Sequence, residues 1–69
     1  MENLAKQLLK LRKGRKLTRQ EVADAVGISA KSYQRYENAE REPTASTLVA
    51  LADFYQVTLD DLVGRSAQM

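Results

Sequence analysis

An all-α fold, one compact domain of five short helices, is the class this sequence predicts. Three observations predict it. The apolar residues recur at helical spacing and nowhere alternate as they would in a half-buried strand. Hydroxyl residues stand just ahead of the apolar stripes, where a helix is capped. The chain of 69 residues holds one proline and three glycines, and each of them falls near an expected helix boundary.

Leu4, Leu8 and Leu11 are spaced i, i+4 and i+7 and predict a first helix near residues 2–13, with Gly14 loosening its end. Leu9 lies off that stripe. Thr18 opens the second helix: with Glu21 it makes a capping box, and Leu17 with Val22 makes a hydrophobic staple. Gly27 is the expected left-handed stop after Val26. Only Ile28 and Ser29 precede the third helix, Ala30 to Asn38, where Ser29 is the cap and Ile28 staples to Tyr33. Pro43 and Thr44 open a fourth helix with Leu48, Leu51, Ala52 and Tyr55 on one face. Thr58 with Asp61 caps a last short helix carrying Leu59, Leu62 and Val63, stopped by Gly64. The expected domain is residues 1–64, and 65–69 (RSAQM) form a flexible tail.

Composition removes whole classes of chemistry. There is no cysteine and no histidine, which excludes disulfides, thiolate or imidazole metal sites and histidine-based triads. A chain this short buries only about 60% of the surface that its unfolded form exposes, which leaves one small core and no deep pocket. No catalytic residue, metal, cofactor or small-molecule ligand is therefore expected. Asp60 and Asp61 are adjacent carboxylates, but on a short helix they point apart, and capping accounts for them. No apolar run approaches the roughly 20 residues that span a membrane. The N-terminal stretch is broken by Lys6, Gln7 and Lys10, unlike a signal peptide, so the expected location is the cytoplasm.

Net charge is only +2, yet it is unevenly spread. Lys6, Lys10, Arg12, Lys13, Arg15, Lys16 and Arg19 follow one another with no acid between them, whereas Glu37, Glu40, Glu42, Asp53, Asp60 and Asp61 crowd the later half. Such asymmetry fits either a solvated helix face or a side that meets a polyanion.

The third helix favours the polyanion. At 100° per residue, Ala30, Gln34, Asn38, Lys31 and Arg35 share one arc of about 140°, while Ser32, Tyr36, Tyr33 and Glu37 take the other side. An ordinary surface helix mixes both signs of charge on its polar face; this arc holds no acid. The helix also follows its predecessor across a tight Gly-containing turn, which sets two helices at a steep angle, with the small Ala23 where they would cross. Tyr33 and Tyr36 read as core residues whose hydroxyls need partners.

The stretch LTRQEVADAVGISAKSYQRYENAEREPT, Leu17 to Thr44, resembles the helix-turn-helix of the phage repressor, Cro and Xre group of DNA-binding proteins. The resemblance runs from about Leu4 to Gly64, through LVALADFYQV and TLDDLVG. It implies a lambda-repressor-like domain that regulates transcription, expected to be a repressor, by binding double-stranded DNA, expected as a homodimer on a two-fold symmetric operator. Its third helix would lie in the major groove. By position the base-facing set is Ala30, Lys31, Gln34 and Arg35, residue types suited to thymine methyl, guanine and adenine edges. The implied phosphate contacts are Arg19, Ser29, Ser32, Asn38 and Arg41, joined by Lys13, Arg15 and Lys16. Corresponding positions in relatives also imply an ion pair between Arg12 and Glu37.

Three departures from the family pattern stand out. Ala39 occupies a turn position that usually carries glycine; a left-handed alanine costs on the order of 1 kcal/mol, so the third helix is expected to end differently here. Glu40 and Glu42 replace lysines and weaken the second phosphate clamp. Lys16 stands where the glycine before the second helix usually lies. Another class of function, an antitoxin or adaptor acting through protein contacts, suits the acidic later half. An RNA-binding role lacks an exposed aromatic platform.

Overall fold

The computed structural model describes residues 2–64; the expected tail at 65–69 lies outside them. Five helices follow in order: α1 (Glu2–Gly14), α2 (Arg19–Val26), α3 (Ala30–Glu37), α4 (Ala45–Tyr55) and α5 (Leu59–Leu62). Among the described residues there is no strand, in agreement with the all-α expectation.

The starts follow the cap chemistry. Thr18 Oγ1 accepts from the Glu21 amide at 3.1 Å while the Glu21 carboxylate accepts from the Thr18 amide at 2.7 Å, a complete capping box. Ser29, Thr44 and Thr58 each accept from the amide three residues on. Each cap satisfies a helix donor that would otherwise be left open, an effect of about 1 kcal/mol per helix.

The stops share one device, mostly without glycine. After α2, Gly27 is left-handed at φ 79° and the Ile28 amide reaches back to the Ala23 carbonyl at 3.0 Å. The same backward bond closes α1 from Leu17 to Arg12 (3.1 Å), α3 from Glu40 to Arg35 (2.9 Å) and α4 from Val57 to Ala52 (3.0 Å). Here the left-handed residues are Lys16 (φ 56°), Ala39 (φ 59°) and Gln56 (φ 58°). The expectation that α3 would avoid a left-handed Ala39 is thus corrected. The bonds to the last carbonyls, and at α1 and α4 the packing of Leu17 and Val57 against the core, offset the strain. α1 likewise turns at Lys16 and not at Gly14, its last helical residue. Gly64 is the stop that admits nothing else: a Cβ there would fall 2.7 Å from the Cβ of Asn3.

Every helix contributes to one core: Leu4 and Leu8, Val22 and Ala23, Tyr33 and Tyr36, Leu51, Ala52 and Tyr55, and Leu62. α3 packs against both α1 and α2, α4 against α2, and α5 bridges α1 and α4. Ala23 is fully buried, as expected of a small residue at the α2–α3 crossing. Phe54 packs on the core edge, its ring 5.0 Å from that of Tyr55 and edge-on to it. Leu9 is half-buried. Among the described residues, Val49 and Leu59 are the large apolar side chains left exposed.

Candidate nucleic-acid interface

The turn Gly27–Ile28–Ser29 and the buried tyrosines fix how α3 is rolled. Tyr33 is wholly buried and Tyr36 and Glu37 nearly so, while Lys31, Gln34 and Asn38 are exposed and Ala30 and Arg35 half-buried at the edge of the arc. Lys31, Gln34 and Arg35 make no side-chain hydrogen bond or ion pair among the described residues, so their donors are available to something outside the domain. The same holds for Asn38, Arg41, Lys13 and Lys16.

On the inward face, by contrast, Tyr33 and Glu37 are both engaged. The Tyr33 and Tyr55 hydroxyls bond to each other at 2.8 Å, and Tyr33 also lies 3.5 Å from the Leu8 carbonyl. Burial pushes both phenols up, and in Tyr33 the bond to Tyr55 adds to the effect. Among the described residues, no buried side-chain polar atom is left without a partner.

Glu37 is the polar centre of this face, with a side chain only 1% exposed. Its Oε2 accepts from Arg12 Nε at 2.6 Å, and its Oε1 accepts from Arg12 Nη2 and Arg19 Nε, both at 3.1 Å. Arg12 Nη1 donates to the Leu17 carbonyl at 3.0 Å. Burial by itself would raise the Glu37 carboxyl. Hydrogen bonding, from Arg12 above all and with Tyr33 and Arg19 adding to it, outweighs burial and holds the group below its usual range. Hydrogen bonding to Glu37 in turn raises Arg12. The expected Arg12–Glu37 pair is present. That Arg19 joins it, tying α2 to α1 and α3, was not expected.

Three other expected phosphate residues have partners within the domain. Ser29 Oγ donates to Ser32 Oγ at 3.0 Å while capping α3, which leaves the Ser32 hydroxyl free to donate outward. Arg15 reaches the far end of α4: its Nη2 donates to the Tyr55 carbonyl at 2.6 Å, and its guanidinium carbon lies 5.2 Å from the centre of the Tyr55 ring. A cation at a helix C-terminus and over a ring is favourably placed on both counts.

The outward face of α3 thus holds no acid and the helix follows a tight turn, and known proteins share this arrangement. The helix-turn-helix family matches residues 8–62. The chain belongs to that family, in its Xre/Cro/C1-type branch. This helix-turn-helix domain is 42% identical over 66 residues to the transcriptional repressor RstR of the cryptic phage CTXphi in Vibrio cholerae, a match covering 96% of this chain and 55% of that protein. It is 39% identical over 61 residues to the HTH-type transcriptional regulator AnsR of Bacillus subtilis, covering 88% of this chain and 53% of that one. The crystal structure of a transcriptional regulator from Listeria innocua has the same fold, with a TM-score of 0.86 at 24% identity, over 96% of this chain and 62% of that one. The chain spans about half the length of the curated relatives it matches. Helix-turn-helix domains of this type are non-enzymatic, and among the described residues no helix is long and apolar enough to cross a membrane.

Proposed function

We propose that this domain is the sequence-reading part of a cytoplasmic transcriptional repressor, which binds double-stranded DNA as a homodimer on a two-fold symmetric operator. One observation carries the reading: the outward face of α3 holds Lys31, Gln34 and Arg35 uncommitted and without an acid, while Tyr33 and Glu37 on the inward face are bonded to the rest of the domain. α3 enters the major groove, where Ala30, Lys31, Gln34 and Arg35 meet base edges. Arg19, Ser32, Asn38, Arg41, Lys13 and Lys16 contact phosphates and set register without reading sequence. Ser29 serves the groove chiefly by capping α3. Arg15, committed to the Tyr55 carbonyl, adds to the positive field of that side. A single domain offers few base contacts, each discriminating by about 1–3 kcal/mol, and two copies supply the specificity a regulator needs. The name of one relative, the transcriptional repressor RstR, supports repression.

The test is selection of bound duplexes from a random pool. The expected result is one enriched sequence with two-fold symmetry, its half-sites about 34–36 Å apart. An enriched but asymmetric site overturns the dimer. No enrichment at all overturns DNA reading in favour of a protein-binding adaptor.

A further inference from the structure

Glu37 holds two arginines in quite different ways. Arg12 sits side-on and bidentate through Nε and Nη2, places Nη1 on the Leu17 carbonyl, and has a side chain only 12% exposed. Its Nε, Nη1 and Nη2 each have a protein acceptor, and its charge alone is enough to neutralise the carboxylate. Arg19 is attached through Nε only, at 3.1 Å, and its side chain is 42% exposed. Its Nη1 and Nη2 make no bond among the described residues. A guanidinium is a rigid planar fork. Once Nε is pinned, the plane has little freedom, and the two terminal nitrogens form a presented edge of the kind that grips a phosphate with two parallel bonds. The second positive charge on a carboxylate that needs only one is left for an outside anion.

We infer that Glu37 is a positioning residue for DNA binding: it clamps Arg19 by Nε and turns the Nη1/Nη2 edge toward a backbone phosphate, which Arg19 grips without leaving Glu37. This rests on the DNA-binding reading above and deepens it. The carboxylate and the phosphate share one guanidinium from opposite sides and do not compete for it.

The experiment measures affinity of the full chain for its selected duplex and for a random duplex across a salt series, with Glu37→Gln, Arg19→Ala and the double variant. Each phosphate contact contributes about 0.9 to the slope of log affinity against log salt. Glu37→Gln is expected to flatten the slope by about 0.9, to weaken both duplexes by the same factor, and to add nothing to Arg19→Ala in the double variant. A full slope in Glu37→Gln, or losses that multiply, overturns the clamp. A merely structural Glu37 would weaken binding and leave the slope alone. Because Glu37→Gln leaves Arg12 beside a neutral amide, the unsubstituted chain is also read by NMR, with the Arg19 Nε–H signal assigned from Arg19→Ala. That proton is expected to stay hydrogen-bonded and slow to exchange when duplex is added, whereas its release on binding overturns the inference. If the unsubstituted chain binds no duplex, the proposed function falls first and takes the clamp with it. If it binds and only the slope or the Nε–H result fails, the clamp falls alone.

Discussion

The two faces of α3 use similar polar chemistry to opposite ends. Inward, Tyr33 and Glu37 bond to Tyr55, Arg12 and Arg19, and among the described residues no buried polar side-chain atom lacks a partner. Outward, the side chains of Lys31, Gln34 and Arg35 are bonded to nothing among the described residues. On the proposed function, the difference teaches how a small domain keeps a reading surface rigid without stiffening the readers: orientation is set by buried bonds that are costly to break, and recognition is left to side chains whose bonds are still to be made. Mutations on the two faces should therefore separate into stability effects and binding effects.

The largest break is on the inward face. Glu37→Ala leaves Arg12 buried without its counter-ion, a loss of about 3–5 kcal/mol. Thermal melts should show it, and DNA affinity should fall with it; an unchanged melting temperature would remove the pair from any role in holding α3.

Protonation tests the same pair more gently. The folded Glu37 carboxyl titrates below its ordinary value of 4.5. A depressed folded value means the unfolded chain takes up the proton first as pH falls. The pair's contribution is therefore present above about 4.5 and lost as pH drops through the folded value. Denaturant titrations from neutral pH into this acid range should show a steeper loss for the unsubstituted chain than for Glu37→Gln, and parallel curves would show that the charge contributes no stability.

Tyr33→Phe comes next. It leaves the buried Tyr55 hydroxyl without a partner, at about 1–3 kcal/mol, and chemical denaturation should register it while the preferred DNA sequence stays the same. Arg35→Ala should do the reverse. Its melt should stay within about 0.5 kcal/mol of the parent, while discrimination at one base position falls by about 1–3 kcal/mol. Arg19→Ala should weaken all sequences alike. Uniform loss in both arginine variants would erase the division between reading and anchoring.

The smallest effect lies at the ends of the helices flanking the turn and closing α3. Gly27→Ala imposes left-handed strain where there is none, and Ala39→Gly removes it where it exists. The first should lower stability and the second raise it, each by up to about 1 kcal/mol. Equal and opposite shifts in denaturation midpoint would support strain as the cause, and a destabilised Ala39→Gly would point instead to the flexibility that glycine adds.

Much of the fold was legible because its causes are local. The Thr18–Glu21 box, the Ser29, Thr44 and Thr58 caps and the Gly27 stop each depend on residues within one turn of each other. The sorting of α3 into two faces follows from a period of 3.6 residues. The left-handed turns at Lys16, Ala39 and Gln56 were not legible from propensity, which disfavours all three. At Lys16 and Gln56, burial of the apolar residue that follows decides the turn. The Arg12–Glu37 pair came from family resemblance, not from any pattern in the residues themselves.

What the sequence determined alone is the set of five helices, where most of them begin, and which side chains of α3 lie together, since covalent geometry and neighbouring residues suffice for these. Only the tertiary structure decided that Arg19 meets Glu37 across 18 positions, that Arg15 meets Tyr55 across 40, and that the tyrosine hydroxyls meet each other. Those contacts depend on the angles and offsets at which helices cross, and these are settled by how Ala23, Leu8, Leu51 and their neighbours fill one shared core.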